Sequence, residues 1–142
     1  MPTIFSRIIS GEFPGRFVWR DEQAVAFLSI EPMRPGHVLV VPRVEVDHWI
    51  DLDPPLASHL FLVAQQIGRA QRLEWNPARV GVLIVGEEVP HVHIHVVPIN
   101  APGELSFANV DRAPSADALD DAAERLRVRL RELGRIEVDG TP

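Results

Sequence analysis

Three of the chain's six histidines, His91, His93 and His95, fall within five residues, each separated from the next by Val or Ile. Alternation of this kind has the period of a half-buried strand, so the imidazoles should leave one face together while Val92, Ile94 and Val96 enter the core. Successive rings then stand about 7 Å apart, twice the rise of ~3.4 Å per residue. Pro90 and Pro98 suit a strand that is entered and left abruptly, because proline cannot donate to a ladder. Three kinds of chemistry are open to such a row. It can be a solvated face with no chemical task. It can hold a metal, since neutral imidazole is the commonest metal ligand; two rings could share one zinc, but the third would need ligands from elsewhere, and the chain has no cysteine to supply them. Or one ring can be a nucleophile flanked by two like groups that orient it and bind an anion. Imidazole is uncharged for much of the time near neutral pH and its N–P adduct is labile to water, which suits phosphoryl or nucleotidyl transfer.

His91-Val92-His93-Ile94-His95-Val96-Val97 resembles the His-φ-His-φ-His-φ-φ signature of the histidine triad nucleotide hydrolases and transferases. The likeness runs from Thr3 to about Pro98, through Ile4-Phe5, Ile8-Ile9, Gly11-Glu12, Ala26-Phe27-Leu28, Pro32, Pro35-Gly36-His37 and Val40-Val41-Pro42. The resemblance implies an α+β fold of five antiparallel strands with two main helices, in a homodimer. It implies that His93 attacks the α-phosphate of a purine nucleotide or nucleotide conjugate, that His95 contacts the phosphate, and that His91 and His37 hold the ring of His93. Ile4, Phe5, Ile8, Phe27, Ser29, Ile30, Glu88 and Val89 match positions that meet the nucleotide. Where Ser29 stands, the family usually has a carboxylate or amide that grips the ribose hydroxyls; a serine cannot form a charge-assisted pair there. A nucleotide-binding regulatory module with little turnover is the alternative.

Two further departures bear on chemistry. Many bacterial members hold a zinc with a Cys-x-x-Cys near the N-terminus, a His shortly after the third strand and the first triad His; the matching positions here are Thr3, Ser6, Glu45 and His91. No metal or other cofactor is therefore expected. Gly86-Glu87-Glu88-Val89-Pro90 replaces the commoner Gly-Gln-Ser or Gly-Gln-Thr followed by Val, in which the amide and hydroxyl help hold the phosphates. At ~4 Å two unit charges repel by about 1 kcal/mol in water and about 4 at an effective dielectric of 20. Glu88 is then a solvated loop residue, a partner that raises the pKa of a triad imidazole, or a selector of cationic leaving groups.

The elements that must position these residues are legible around them. Ile4, Phe5, Ile8 and Ile9 have helical spacing ahead of Gly11. Phe17–Arg20 and Ala24–Leu28 read as a hairpin about Asp21-Glu22-Gln23, and His37–Val41 as a third strand closed by Pro42. Asp53, as cap, opens an amphipathic helix to about Arg72, and Val80–Val85 is a strand that pairs with the triad strand across a short anionic loop. After Pro98 an irregular connection leads to a helix capped by Ser115, with Leu119, Ala122, Leu126, Leu130 and Leu133 on one face. Residues 1–108 are expected to form the catalytic domain and 109–142 a C-terminal extension carrying that helix.

The chain has 142 residues, a net charge of −6, 14 basic residues that are all Arg, and no apolar run long enough to span a bilayer. These features argue against general nucleic-acid binding by counterion release and against a membrane partner, and a cytoplasmic protein is expected. His48 and His59 match nothing of the triad kind and are expected on a helix or the surface.

Overall fold

A computed structural model describes residues 1–140. The first helix, α1 (Ile4–Ile9), is capped by Thr3, whose Oγ1 accepts from the Ser6 N–H at 3.2 Å. Strands β1 (Phe17–Arg20) and β2 (Ala24–Leu28) follow as an antiparallel pair. Asp21 builds their turn: Oδ1 accepts from the N–H groups of Gln23 and Ala24, and Oδ2 from the indole of Trp19, each at 2.8 Å. Strand β3 (Val38–Pro42), helix α2 (Pro54–Trp75), strands β4 (Arg79–Leu83) and β5 (Ile94–Ile99) and helix α3 (Ala116–Glu132) complete the order. The five strands form one sheet, β1-β2-β3-β5-β4, antiparallel throughout. The α+β reading with two main helices holds, and no helix among the described residues is long and apolar enough to cross a membrane.

Alternation along the strands gives the sheet two different faces. Ala24, Ala26, Leu28, Val38, Val40, Ile94 and Val96 point to α2 and α3, where they meet Leu60, Val63, Ile67, Leu126 and Leu130 in the main core. Val25, Phe27, Leu39 and Val41 point the other way and are covered by Phe5 of α1. His95 is paired with Leu39 across β3 and with Leu83 across β4, in the centre of the sheet. Helix α3 is part of the same core rather than an appendage to it, since Ala123, Leu126 and Leu130 are fully buried there. Arg125 and Arg129 also reach Glu74 of α2 at 2.9 and 3.1 Å.

Two residues lock the loop that carries His37. Gly36 has φ +88°, and a Cβ there would stand 2.5 Å from the ring of Trp75 on α2, so both conformation and space require glycine. Gln71, fully buried, donates through Nε2 to the carbonyls of Gly36 and Val96, each at 2.9 Å, tying α2 to that loop and to β5 together.

The structure corrects several local expectations. β5 begins only at Ile94. His91, Val92 and His93 lie outside the ladder: His91 sits in a bend whose N–H donates to the Val89 carbonyl, and the Val92 N–H donates to Val46, each at 2.8 Å. The side chains still alternate, since Val92 enters the main core while His91 and His93 both pack against Phe5. Pro98 lies inside β5, not beyond it; β3 pairs only as far as Val96, which leaves a flank without a ladder, where a strand tolerates proline. β4 stops at Leu83, so residues 84–93 form a longer connection than a tight hairpin. Asp53 makes no side-chain capping bond; Pro54 and Pro55 remove the N–H groups of the first two helical positions, so fewer donors are there for it to cap. The third strand and the helix after it end at Pro42 and Trp75, later than expected.

Candidate active site

His37, His91, His93 and His95 are the four buried histidines, each no more than 7% exposed. The other two lie elsewhere: His48 caps a short 3-10 turn, and His59 bonds Asp21 at 2.7 Å.

Main-chain groups dictate which nitrogen of each buried ring carries its proton. The Met33 N–H donates to Nδ1 of His37 at 3.0 Å, so Nδ1 is an acceptor and the proton of this neutral ring sits on Nε2. That Nε2–H donates to Nδ1 of His95 at 2.9 Å, which in turn places the proton of His95 on Nε2. Nε2 of His95 is buried and has no partner in the protein: a neutral N–H donor held ready. On His93 the arrangement is opposite. Its Nδ1 lies 2.7 Å from the His91 carbonyl and must donate to it, leaving Nε2 as a free lone pair. His91 donates from Nε2 to the Pro42 carbonyl at 2.7 Å and accepts at Nδ1 from the Thr3 hydroxyl at 2.7 Å. Adjacent rings thus present a nucleophilic nitrogen on His93 and a donor on His95, with ring centroids 5.0 Å apart.

Burial keeps all four rings neutral. His37 is lowered to about 3 by desolvation and the neighbouring rings of His95 and His93, and His95 to about 4 by desolvation and His93. His91 and His93 are also lowered, chiefly by burial. For His93 the carbonyl of His91 and the exposed carboxylate of Glu88 pull in the opposite direction.

The expected site residues divide into those brought together and those not. Phe5 lies edge-on to His93 and His91, at 4.9 and 5.8 Å between centroids, and 5.8 Å from Phe27. Ile8 and Val89 pack on the same cluster, making an apolar wall beside the nucleophile. Ile4 and Ile30 are exposed and lie outside that cluster. The Ser29 hydroxyl accepts from the Glu31 N–H at 3.2 Å, closing a local turn. His37 grips His95 rather than His93, and it is the carbonyl of His91, not its imidazole, that orients His93. Sequence reasoning did not single out Met33, whose contribution is a main-chain N–H that no side chain advertises. Phe107 was also missed: 46% exposed, it lies edge-on to His95 at 5.3 Å. An aromatic residue stranded in the polar, Pro- and Gly-containing connection after β5 was the available signal.

Comparisons with known proteins agree with this geometry. The family model described as HIT domain matches residues 10–101. The "Protein hit" of Bacillus subtilis is 33% identical over 106 residues, which is 71% of this chain and 73% of that protein. A zinc-bound histidine triad family protein from Mycobacterium smegmatis superposes with a TM-score of 0.79 at 30% identity, covering 92% of this chain and 94% of the other. A hypothetical histidine triad nucleotide-binding protein from Sulfolobus tokodaii shares the fold, with a TM-score of 0.82 at 21% identity over 98% of this chain and 99% of that one. With a family model matched over residues 10–101 and a relative 33% identical over 71% of the chain, this protein belongs to the histidine triad family.

Proposed function

We propose that the protein is a nucleotidyl hydrolase or transferase that acts on the α-phosphate of purine nucleotide esters, phosphoramidates or dinucleotides through a nucleotidyl-histidine intermediate. The observation that carries this reading is the opposed pair of ring nitrogens, a lone pair on His93 Nε2 beside an unpartnered N–H on His95. Nε2 of His93 forms the bond to phosphorus, and the leaving group departs with the electron pair of the broken bond and takes up a proton. The ring, now positive, keeps its Nδ1–H on the His91 carbonyl, whose dipole stabilises that charge at 2.7 Å. The His95 N–H faces charge developing on the phosphate oxygens; water then attacks phosphorus, the P–N bond breaks with its electron pair returning to His93 Nε2, and the proton lost by the water balances the one that the leaving group took from solvent. The apolar wall of Phe5, Ile8, Phe27 and Val89 suits a purine ring.

A single-turnover assay with a fluorogenic adenosine phosphoramidate tests the reading. Release of fluorophore by the wild type, its loss in His93→Ala with nucleotide binding retained, and an adduct trapped on His93 are expected. An adduct on any other side chain would overturn it. The second reading, a cytoplasmic nucleotide-binding regulatory module with little turnover, is favoured by the Ser29 hydroxyl already engaged in its own turn and by Glu88 near His93. Binding without a burst would select it. A two-fold homodimer is the assembly we propose, because β4 is an edge strand with Val82 exposed and α2 leaves Phe61 and Leu62 in solvent.

A further inference from the structure

Thr3, Ser6, Glu45 and His91 come from three separate parts of the chain and meet behind the triad. One oxygen of Glu45 accepts from the Ser6 hydroxyl at 2.6 Å and from the Thr3 N–H at 2.8 Å. Because His91 donates from Nε2 to Pro42, its Nδ1 can only accept, so the Thr3 hydroxyl must be the donor across their 2.7 Å contact. Thr3 then has no proton left for Ser6 Oγ, 3.4 Å away, whose own proton goes to Glu45. Each proton has one destination: exposed Glu45 holds Ser6 by its hydroxyl and Thr3 by its main-chain N–H, the Ser6 N–H donates to the Thr3 hydroxyl oxygen, and that hydroxyl donates to the fully buried His91 imidazole.

These are the four positions at which the resemblance places zinc ligands in many bacterial members. The donor set here does not fit that ion. Two of the four are neutral hydroxyls, the other two are already committed to hydrogen bonds, and zinc takes Cys, His or carboxylate ligands. Among the described residues no group of three or more His, Cys, Asp or Glu could hold a metal.

We propose that this hydrogen-bonded clasp sets the geometry of the nucleophile: Glu45, Ser6 and Thr3 are positioning residues that hold His91 and, through its carbonyl, His93. The inference rests on the nucleotidyl-transfer reading for its kinetic consequence, but not for its structural one. The ring of His91 is gripped at both nitrogens, by Thr3 and by Pro42, while the carbonyl of the same residue holds Nδ1 of His93 at 2.7 Å. Thr3 also caps the helix that carries Phe5, and Phe5 packs edge-on against both rings. Loosening the clasp therefore shifts the acceptor that orients His93 and the wall beside it in one movement.

The test compares Thr3→Val, Thr3→Ser and Glu45→Ala in the full chain, with three readouts. Imidazole 15N shifts, recorded without substrate, should report His91 protonated on Nε2 and His93 on Nδ1 in the wild type. Thr3→Val should disturb both signals and lower kcat about tenfold with KM nearly unchanged, the scale of one lost hydrogen bond, and Thr3→Ser should restore them. Protein purified without a histidine tag and incubated with zinc should retain well under one ion per chain. Unchanged shifts and kcat in a folded Thr3→Val would overturn the proposal. So would near one zinc per wild-type chain that Glu45→Ala removes. If Thr3→Val does not fold, Glu45→Ala decides alone, since Glu45 is exposed and alanine removes the oxygen that accepts from both Ser6 and Thr3: disturbed His91 shifts support the clasp and unchanged ones refute it. If the wild type has no turnover, the shifts still decide the clasp while the reaction reading fails separately.

Discussion

Mild acid should loosen this protein at a pH where most carboxylates are still ionised. His37 and His95 are held at about 3 and about 4 in the folded protein, and both return to about 6.5 in the unfolded chain. Between those values the unfolded state binds protons that the folded state refuses. The stability linked to each ring is thus fully present above the unfolded value and is lost as pH falls through it toward the folded one. At pH 5 the loss relative to pH 7 is about 2 kcal/mol for each ring taken singly. The rings share one hydrogen bond and titrate as a pair, so the expected total lies between about 2 and about 4 kcal/mol. His91 and His93, also lowered by burial, act with the same sign. Urea unfolding at pH 7 and pH 5, followed by the fluorescence of the three tryptophans, measures the difference. Unfolding free energies that agree within about 0.5 kcal/mol, or an NMR titration placing either ring near 6.5, would refute the reasoning.

Gly36→Ala is expected to cost about 2–4 kcal/mol, combining left-handed backbone strain with a clash against Trp75; a change in thermal melting equivalent to under about 1 kcal/mol would contradict it. Leu126→Ala should cost about 2–5 kcal/mol in denaturant titrations, because the side chain is fully buried between α3 and the sheet; a near-neutral result would mean that α3 is dispensable to the core. Glu88→Ser should move the pH optimum of turnover downward, since the carboxylate raises His93, and should weaken any preference for cationic leaving groups; identical profiles would leave Glu88 a solvated loop residue. Sedimentation at micromolar concentration should give twice the chain mass, and a monomer would remove the proposed two-fold contact.

Hydrophobic period carried the fold because each strand has one face under α2 and α3. Phe17–Arg20 and Ala24–Leu28 were readable to the residue, since Asp21 at their junction both breaks the pattern and builds the turn. Alternation around the histidines said which way side chains point but not where the ladder starts. His91 to His93 satisfy their orientation without strand pairing, and a proline was admitted inside β5 by an unpaired flank that only tertiary structure creates. At the site, the identities of His37, His91, His93 and His95 were legible, whereas their division of labour was not. It depends on the amide of Met33 and the carbonyls of His91 and Pro42, and main-chain groups look alike in every sequence.

That dependence on the main chain makes the polarity of the site hard to mutate. The proton order from Met33 through His37 to His95 is set by an amide that stays in place whichever side chain residue 33 carries, so drift at that position leaves the donor on His95 intact. Proline alone abolishes the N–H, and its ring would then free His37 to reverse and turn the donor of His95 into an acceptor. One codon change in this loop, touching no histidine, is therefore enough to invert the electrostatic sense of the triad. A proline shifted by a single position from Pro32 would have that effect.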